Sequence, residues 1–288
     1  MRFHFSQKAD RTLSDFTQQL IEEFRANDGR VGGQFEDARL LLLTTTGART
    51  GLPRTAILGY YPDTTDRVLV VGSAGGGPKH PGWYHNLLAN PACTVETGLF
   101  TYPATALVLR DAERTETFAR LAAADPGWAK YQANTTRTIP VVALVSATTG
   151  PPGERTGSIA DLLLKIHEAF RRELTLIRKE VLTTGATTTL GAQLRINCLK
   201  LCQGLHNHHS GESQGIFPAV LAQHPEAAET INRLQAEHDT IATLLDDLQS
   251  LLATATPAAI APELDRLTKA LLDHLAHEEA QLLPLLGG

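Results

Sequence analysis

The stretch His208-His209-Ser210-Gly211-Glu212, with a second stretch His274-Leu275-Ala276-His277-Glu278, decides the fold of the C-terminal part of the chain. In both stretches a glutamate follows a histidine after four residues. Residues four apart lie one above the other on the same face of an α-helix. The two stretches therefore predict two helices that each direct an imidazole and a carboxylate to one side.

Apolar residues extend this helical pattern over four segments, from Ile159 to the end of the chain. They recur every three or four residues, which indicates one buried face on each of four helices. We expect an up-down four-helix bundle, whose second helix ends before Phe217-Pro218. In chain order, the buried faces carry Leu163, Ile166, Phe170, Leu174 and Ile177; Leu194, Leu201 and Leu205; Ile231, Leu234, Ile241, Leu245 and Leu248; and Leu264, Leu267, Leu271 and Leu282.

One histidine lies on the apolar face of every predicted bundle helix, and two glutamates join them. A single histidine on such a face is most often an ordinary core residue, but buried carboxylates without partners are costly. A metal ion removes that cost, and imidazole with carboxylate suits iron or manganese better than zinc. Helical bundles with inward-facing Glu and His commonly hold two-iron centres. The residues concerned are His167, His208, Glu212, His238, His274 and Glu278.

The pattern HHxxE…FP from His208, the pair Glu237-His238 and the pattern HLxHEE…LP from His274 resemble the hemerythrin-like, HHE cation-binding family. The resemblance covers about Ile159–Leu286. It implies a pair of irons, bridged by the two glutamates, with the ligands His167, His208, Glu212, His238, His274 and Glu278. Oxygen-carrying hemerythrins have a second histidine one turn after the first in their third helix. That position is Ala242 here, which argues against reversible oxygen storage.

The remaining histidines and cysteines of this half have simpler interpretations. His209 is an alternative to His208 as a ligand, and we expect His206, His224 and His277 to face solvent or a helix end. We expect Cys198 and Cys202, four apart on the second bundle helix, to be small buried apolar residues. A redox or nitrosylation role requires that one of them be exposed with a lowered pKa.

The first half of the chain has a different pattern. A segment rich in Gly, Pro, Ser and Thr, Ser146–Gly157, predicts a linker, and we assign domains to 1–146 and 159–288 with the linker at 147–158. Short strands follow one another closely, which favours an antiparallel α+β domain over a doubly wound one. The predicted strands are 39–46, 55–61, 68–73, 93–97, 102–109 and 139–145, and the predicted helices are about 13–25, 81–89 and 113–124.

Two glycine-rich segments of this domain, Leu40–Arg54 and Val70–Asn86, suit an anion. Each runs from a strand into a turn, and the second continues into a helix that begins near Pro81. Free backbone N–H groups at such turns and helix starts attract phosphate or carboxylate groups. Arg49, Arg54 and Lys79 would add positive charge. The alternative is a pair of structural turns with solvated basic residues.

Together these segments resemble the deazaflavin-dependent nitroreductase family, whose members carry LLxTTGxRTGxPR and SxGGxxxxPxWYxNLxANP. The segment Arg137-Thr138-Ile139-Pro140-Val141 extends the resemblance to about 24–145. It implies a split β-barrel that binds reduced coenzyme F-420, a deazaflavin with a phosphate and an acidic glutamyl tail. The positions at its cofactor-binding motifs are Arg49, Thr50, Gly51, Arg54, Ser73, Lys79, Pro81, Trp83 and Asn86.

The substrate side of the resemblance is less complete. Drug-reducing members of the family have several tyrosines before the RTIP segment. Here Tyr131 matches, whereas Asp125 and Trp128 occupy the other places, so Trp128 and Tyr131 are the expected substrate-side residues. No Ser/His/Asp set is present, and no catalytic acid, base or nucleophile is assigned, because the cofactor supplies the hydride.

The two halves together predict a deazaflavin-dependent oxidoreductase that passes a hydride to a quinone or nitro compound, fused to a di-iron domain. The alternative is a non-catalytic protein that binds the coenzyme and senses oxygen, nitric oxide or iron. A third possibility is an iron-handling protein whose first domain has lost its chemistry. The expected partners are a small-molecule electron acceptor and, at the iron, dioxygen or nitric oxide.

The bulk composition excludes several other classes. The net charge of -5, without a run of basic residues, argues against nucleic acid as a partner. No stretch approaches the roughly 20 apolar residues that span a bilayer, and the first residues lack an apolar secretory segment. Three cysteines are too few for a disulfide framework and suit a reducing compartment. We therefore expect a cytoplasmic protein.

Overall fold

The computed structural model describes residues 3–147, 158–183, 190–252 and 255–286, with side chains from residue 15 onward. The chain divides into two compact units, Met1–Arg155 and Thr156–Gly288. Almost all of the predicted linker lies outside the described residues. The prediction of an α+β protein with a barrel followed by a helical bundle is confirmed.

Six antiparallel strands close into a barrel in the N-terminal unit. The hydrogen-bonded order is β1-β2-β3-β6-β5-β4, with β1 pairing both β2 and β4. Each predicted strand is present, and its ends lie within two residues of the prediction. The strands are β1 (Leu40–Thr46), β2 (Pro53–Pro62), β3 (Arg67–Val71), β4 (Ala92–Glu96), β5 (Thr101–Val108) and β6 (Val141–Ser146).

Strand β1 is apolar on both faces because each face packs against a different core cluster. Leu41 and Leu43 join one core cluster with Trp83, whereas Leu40 and Leu42 pack with Phe24 of the first helix. The helices are α1 (Phe3–Ala26), α2 (Gly82–Ala89), α3 (Asp111–Ala124) and α4 (Pro126–Ala133), with short 3-10 turns at Gly33–Phe35 and Ala74–Gly76.

Two helices differ from the prediction. The first helix begins about ten residues earlier than expected, at Phe3, and α4 was not predicted. The start of α4 is nevertheless encoded locally. The side chain of Asp125 accepts a hydrogen bond from the Gly127 N–H, and Pro126 occupies the first turn, where its missing N–H costs nothing.

The C-terminal unit is a bundle of long helices around an apolar core. This core includes Leu174, Ile177, Leu205, Leu245 and Leu271. All four predicted bundle helices are present. Their segments are α5 (Ile159–Thr183), α6 (Ala192–Gly211), a π-helical turn (Glu212–Ile216), α7 (Phe217–Gln223), a 3-10 turn (Pro225–Ala227), α8 (Ala228–Leu252) and α9 (Pro257–Leu286).

The prediction that the second bundle helix ends before Phe217-Pro218 is wrong. The helical backbone continues from α6 through the π-helical turn into α7, and the Phe217 N–H bonds to the Glu212 carbonyl five residues earlier. Glu212 and Phe217 are both buried although five residues separate them. In an α-helix that interval turns a residue about 140° away from the first, since each residue turns about 100°. The wider π-helical turn therefore brings Glu212 and Phe217 back to the same face of the helix.

Candidate metal centre and cofactor cleft

The bundle brings all six predicted metal-binding residues together. His167 comes from α5, His208 from α6, Glu212 from the π-helical turn, His238 from α8, and His274 and Glu278 from α9. Their side chains are at most 4% exposed, except that of His208, which is 7% exposed. His209, which the sequence suggested only as an alternative to His208, is also buried here.

The possible ligand atoms form two adjacent groups. Atoms of His167, His208, Glu212 and Glu278 lie within 4.8 Å of one another, and so do atoms of His209, His238 and His274. The carboxylate of Glu212 faces both groups. Its Oε1 is 3.3 Å from His208 Nε2, and its Oε2 is 3.5 Å from His238 Nε2. Oε2 of Glu278 similarly lies 3.4 Å from Nε2 of both His167 and His274.

Many of these buried atoms have no hydrogen-bond partner. Both carboxylate oxygens of Glu212 and of Glu278 are in this state, and so is Nε2 of His209, His238 and His274. Each unpartnered buried polar atom costs about 1–3 kcal/mol. So large a cost at one place is unusual for a protein interior. The donor set of imidazole nitrogens and carboxylate oxygens fits a pair of metal ions, which would remove the cost.

The opposite edges of three imidazoles are held by neighbouring side chains. Nδ1 of His167 lies 2.8 Å from Glu279 Oε1, and Nδ1 of His274 lies 2.9 Å from Glu237 Oε2. Nδ1 of His238 shares a 3.1 Å hydrogen bond with the Ser213 hydroxyl. An imidazole that donates its Nδ1–H to a carboxylate keeps the lone pair on Nε2, the atom that faces the cluster.

The environments of the three remaining histidines of this unit agree only in part with the prediction that they face solvent or a helix end. His206 is exposed, as expected, and His224 is half-buried beside Glu226 at a helix start. His277 does not simply face solvent, because its Nδ1 lies 2.9 Å from Glu237 Oε1. Glu237 therefore bonds His274 and His277 at once. The sequence did not reveal this role, although Glu237 is adjacent to a predicted ligand.

Burial sets the protonation of the cluster. Burial and neighbouring imidazoles lower the pKa of His208 to about 3 and of His209 to about 2. The same causes lower the pKa of His238 to about 4. Neutral imidazoles of this kind offer lone pairs to a metal. Burial, with the nearby carboxylate of Glu278, raises the pKa of Glu212 to about 10.

The pKa values of two residues of α9 shift in the opposite directions, with the glutamate lowered and the histidine raised. Burial would raise the pKa of Glu278, but the imidazoles of His167 and His274, each with Nε2 at 3.4 Å from its Oε2, lower that pKa below its ordinary value. Burial would lower the pKa of His274, but Glu278 and Glu237 raise it. The carboxyl of Glu212 thus binds a proton more tightly than that of Glu278. Two buried carboxylates close together rarely ionise as a pair without a cation.

The two cysteines of α6 lie in the apolar core. Both are buried and neither forms a disulfide, and burial raises the pKa of Cys202 to about 12. A thiol with such a pKa is not a thiolate near neutral pH. The geometry therefore favours the apolar role over the redox one.

The N-terminal unit has a cleft of about 830 Å³ between the β1–β2 turn and α2. Five of the predicted cofactor positions line it: Arg49, Thr50, Arg54, Trp83 and Asn86. The sequence did not single out His85, which also lines the cleft. Gly51, Ser73, Lys79 and Pro81 lie outside the lining. No carboxylate pairs with Arg49, Arg54 or Lys79 within the part of the chain that the structure describes.

Asn86 holds the β1–β2 turn in place. Its Oδ1 accepts a 2.9 Å hydrogen bond from the Ala48 N–H, and its Nδ2 donates a 3.0 Å bond to the Thr45 hydroxyl. The turn is closed by a hydrogen bond from the Gly47 N–H to the Leu52 carbonyl. A Cβ on Gly47 would lie 2.7 Å from Thr50 Oγ1 and 3.0 Å from the Leu52 carbonyl oxygen, so a larger residue would crowd the turn. Both polar atoms of the Asn86 amide are therefore engaged in hydrogen bonds within the protein.

Arg137 holds the second glycine-rich segment in a similar way. Its guanidinium donates to the carbonyls of Gly72, Ser73 and Gly77, and it lies 3.1 Å from His80 Nδ1. The loop also packs against α4. Gly76 has a φ of 76°, and a Cβ there would lie 2.9 Å from the Tyr131 carbonyl oxygen.

Two family models match this chain. The model of the F420H(2)-dependent quinone reductase matches residues 17–146, and the model of the hemerythrin HHE cation binding domain matches residues 158–286. The "F420H(2)-dependent quinone reductase Rv1261c" of Mycobacterium tuberculosis is 40% identical over 133 residues, which are 42% of this chain and 83% of that protein. The chain belongs to the F420H(2)-dependent quinone reductase family.

Another relative in this family is the "Putative F420H(2)-dependent quinone reductase Rv3178" of M. tuberculosis, 34% identical over 40% of this chain and 97% of that protein. A solved structure titled "Structure of F420-H2 Dependent Reductase (FDR-A)" is 38% identical, with a TM-score of 0.34 over 37% of this chain and 93% of that chain. These relatives cover the N-terminal unit. The C-terminal unit is the hemerythrin HHE domain.

Both predicted substrate-side residues of the quinone reductase domain lie on α4. Trp128 Nε1 donates a 2.8 Å hydrogen bond to the Tyr61 hydroxyl, and its ring meets the Tyr131 ring edge-on at 5.9 Å. Neither residue lines the 830 Å³ cleft. Tyr131 is 38% exposed, whereas Trp128 packs partly into the core under α3.

None of the described helices of either unit is long and apolar enough to cross a membrane.

Proposed function

We propose that this protein uses reduced F-420 to reduce a quinone or a nitro compound, and that its C-terminal domain binds two irons. The cleft between the β1–β2 turn and α2 carries the first part. There the exposed guanidinium groups of Arg49 and Arg54 border a space of about 830 Å³ beside the first turn of α2. Proteins named F420H(2)-dependent quinone reductases share this domain.

A bound deazaflavin supplies the hydride, and the protein supplies position and charge. Arg49 and Arg54 bind the phosphate and the acidic tail, because a guanidinium offers several donors to oxyanions. Lys79, exposed on the second glycine-rich segment, adds positive charge. Asn86 and Arg137 keep the two segments in shape. Trp128 and Tyr131 border the acceptor's side, since α4 packs on that loop.

The two adjacent groups of ligand atoms support a pair of irons in the bundle. We assign His167, His208, His238 and His274 as imidazole ligands, with Glu212 and Glu278 bridging the irons. The bridging role rests on Glu212, whose two oxygens face imidazoles of different groups at 3.3 Å and 3.5 Å. Imidazole and carboxylate together suit iron, and inward-facing Glu and His in a bundle are typical of two-iron centres.

A small ligand such as dioxygen or nitric oxide would approach the cluster beside His208. Its side chain is 7% exposed, more than that of any other predicted ligand. The ring of Phe170 lies 5.3 Å from the His208 ring and forms part of the cover on this side. A role in binding or sensing such a ligand is compatible with reduction at the other domain, because each site uses its own residues.

Turnover and binding measurements test the first part. The purified protein should oxidise reduced F-420 when a quinone is added. Arg49→Ala combined with Arg54→Ala should weaken F-420 binding roughly tenfold or more, since each change removes a charge-assisted hydrogen bond. Arg110→Ala removes an exposed arginine outside the cleft and is the matched control. F-420 binding without quinone or nitro turnover would favour the sensing alternative.

Metal analysis tests the second part. The protein should hold about two irons per chain, and Glu212→Ala or Glu278→Ala should lower this content. Glu229→Ala, which changes a side chain that is 92% exposed on α8, is the control. Unchanged iron content in both ligand variants would rule out the di-iron assignment.

A further inference from the structure

His209 has the environment of a metal ligand, although the sequence offered it only as a substitute for its neighbour. The residue is 6% exposed, and its Nε2 has no hydrogen-bond partner among the described residues. Its ring stacks on that of His238 with centroids 4.2 Å apart and meets the His274 ring edge-on at 5.2 Å. One nitrogen of each of these three rings lies within 4.8 Å of the others.

A purely structural role for His209 fits poorly. A buried imidazole nitrogen without a partner costs about 1–3 kcal/mol, whereas a leucine at this position would cost nothing of this kind. A structural role alone does not explain why three imidazoles converge on one side of Glu212, each with an Nε2 that has no hydrogen-bond partner.

The arrangement on α6 explains how neighbouring residues serve different groups. Successive residues of an α-helix turn by about 100°, so His208 and His209 point to different sides of the same inward face. His208 Nε2 lies 3.1 Å from His167 Nε2, whereas His209 stacks on His238. The helix α6 therefore passes between the two groups of ligand atoms and gives one imidazole to each.

We propose that His209 is a metal ligand that completes a three-histidine site with His238 and His274. The inference rests on the proposed di-iron function. It assigns to α6 the imidazole that the third bundle helix lacks, where Ala242 lies one turn after His238. The iron on this side then has three imidazoles, and the iron beside His167 and His208 has two. With His209 as the donor, Ala242 no longer leaves this side of the cluster short of an imidazole, and oxygen binding is not excluded on that ground.

The test compares His209→Ala, His209→Phe and His206→Ala. The first removes the donor, the second removes it while filling the buried space, and the third removes an exposed histidine of the same helix. We expect about two irons per chain in the wild type and in His206→Ala, and about one in both His209 variants. Mössbauer spectra of protein loaded with labelled iron should show which of the two iron signals is lost.

Added imidazole gives an independent readout. In His209→Ala it should enter the space of the lost ring and restore the second iron, whereas His209→Phe should not respond because the phenyl ring occupies that space. Circular dichroism of the metal-free variants establishes that they fold. Wild-type iron content and spectra in folded His209 variants would overturn the proposal. A wild type that binds no iron would instead overturn the proposed function itself.

Discussion

Glu237 shows how single residues outside the predicted set shape the metal site. Its carboxylate bonds Nδ1 of His274 with one oxygen and Nδ1 of His277 with the other, both at 2.9 Å. The convergence of the six proposed ligands could be predicted because each lies on an apolar stripe. Glu237 and Glu279 lie beside such stripes, and their roles depend on which neighbouring helix they face, which a single sequence does not show.

Replacing Glu237 should therefore weaken metal binding without removing a ligand. We expect Glu237→Gln to lower iron affinity roughly 10- to 100-fold, because the amide holds the His274 ring less firmly and makes its Nε2 a weaker donor. Glu226→Gln, at an exposed glutamate that bonds the half-buried His224, is the matched control. Competition with a chelator measures the affinity. Equal affinity in both variants would mean that the Glu237 contact is not functional.

Asn86 provides a similar case in the cofactor cleft. Asn86→Ala breaks the bonds to the Ala48 N–H and the Thr45 hydroxyl, and the loss should cost about 1–3 kcal/mol of stability. We also expect weaker F-420 binding, since the turn that carries Arg49 loses its support. Asn90→Ala, which removes an amide that bonds only locally to the Ala92 N–H, is the control. Melting curves and F-420 titration provide the two measurements.

At the scale of elements, the sequence was most informative where one pattern covers a whole element. Each barrel strand is a short run rich in apolar and β-branched residues, and each long bundle helix repeats its apolar residues every three or four positions, so these elements were predictable. The short helix α4 has only eight residues and no apolar period, and its start depends on Asp125 and Pro126. The π-helical turn escaped prediction because a five-residue interval fits neither a strand nor an α-helix.

A buried ion pair joins elements of the barrel. Asp63, at the end of β2, bonds Arg67 of β3 at 2.7 Å and Arg120 of α3 at 2.8 Å. Burial would raise the pKa of Asp63, but the hydrogen bonds from Arg67 and the Thr64 N–H, with the charge of Arg120, lower it. A carboxyl whose pKa is lowered in the folded state adds stability above its unfolded pKa, and this stability is lost as the pH falls through the folded pKa.

Asp63→Asn should consequently destabilise the barrel by roughly 2–3 kcal/mol at neutral pH, somewhat below the range for a wholly buried pair. The difference from the wild type should stay constant at neutral pH and shrink at pH below about 4, where the wild-type carboxyl takes up a proton. Denaturant unfolding at several pH values measures it. A difference that does not change with pH would show that the charge of Asp63 contributes nothing.

At the scale of the whole molecule, the two units depend on different stabilising agents. The barrel has an apolar core, whereas the bundle has buried carboxylates without hydrogen-bond partners, which the proposed metal would neutralise. Removal of iron should therefore affect one unit and spare the other. The chain offers a convenient reporter, because both of its tryptophans, Trp83 and Trp128, belong to the N-terminal unit.

We expect a chelator to lower the melting temperature of the bundle by roughly 10 °C, as for loss of a ligand present at about 1,000 times its dissociation constant. Far-ultraviolet circular dichroism follows the helices, and tryptophan fluorescence follows the barrel alone. The fluorescence transition should stay in place while the dichroism transition moves. Equal shifts of both signals would contradict independent units, and restoring iron should reverse the change.

The π-helical turn between Glu212 and Phe217 also bears on how this bundle tolerates changes in chain length. Loss of one residue inside the turn, such as the exposed Gln214, would leave Glu212 and Phe217 four apart, the interval at which an ordinary α-helix keeps both on one face. Loss of the exposed Ala236 from α8 would instead rotate His238 by about 100° relative to the residues before the deletion. The helix that carries His208 and Glu212 thus contains a position where evolution can remove a residue without turning these two side chains away from the face that they share with Phe217.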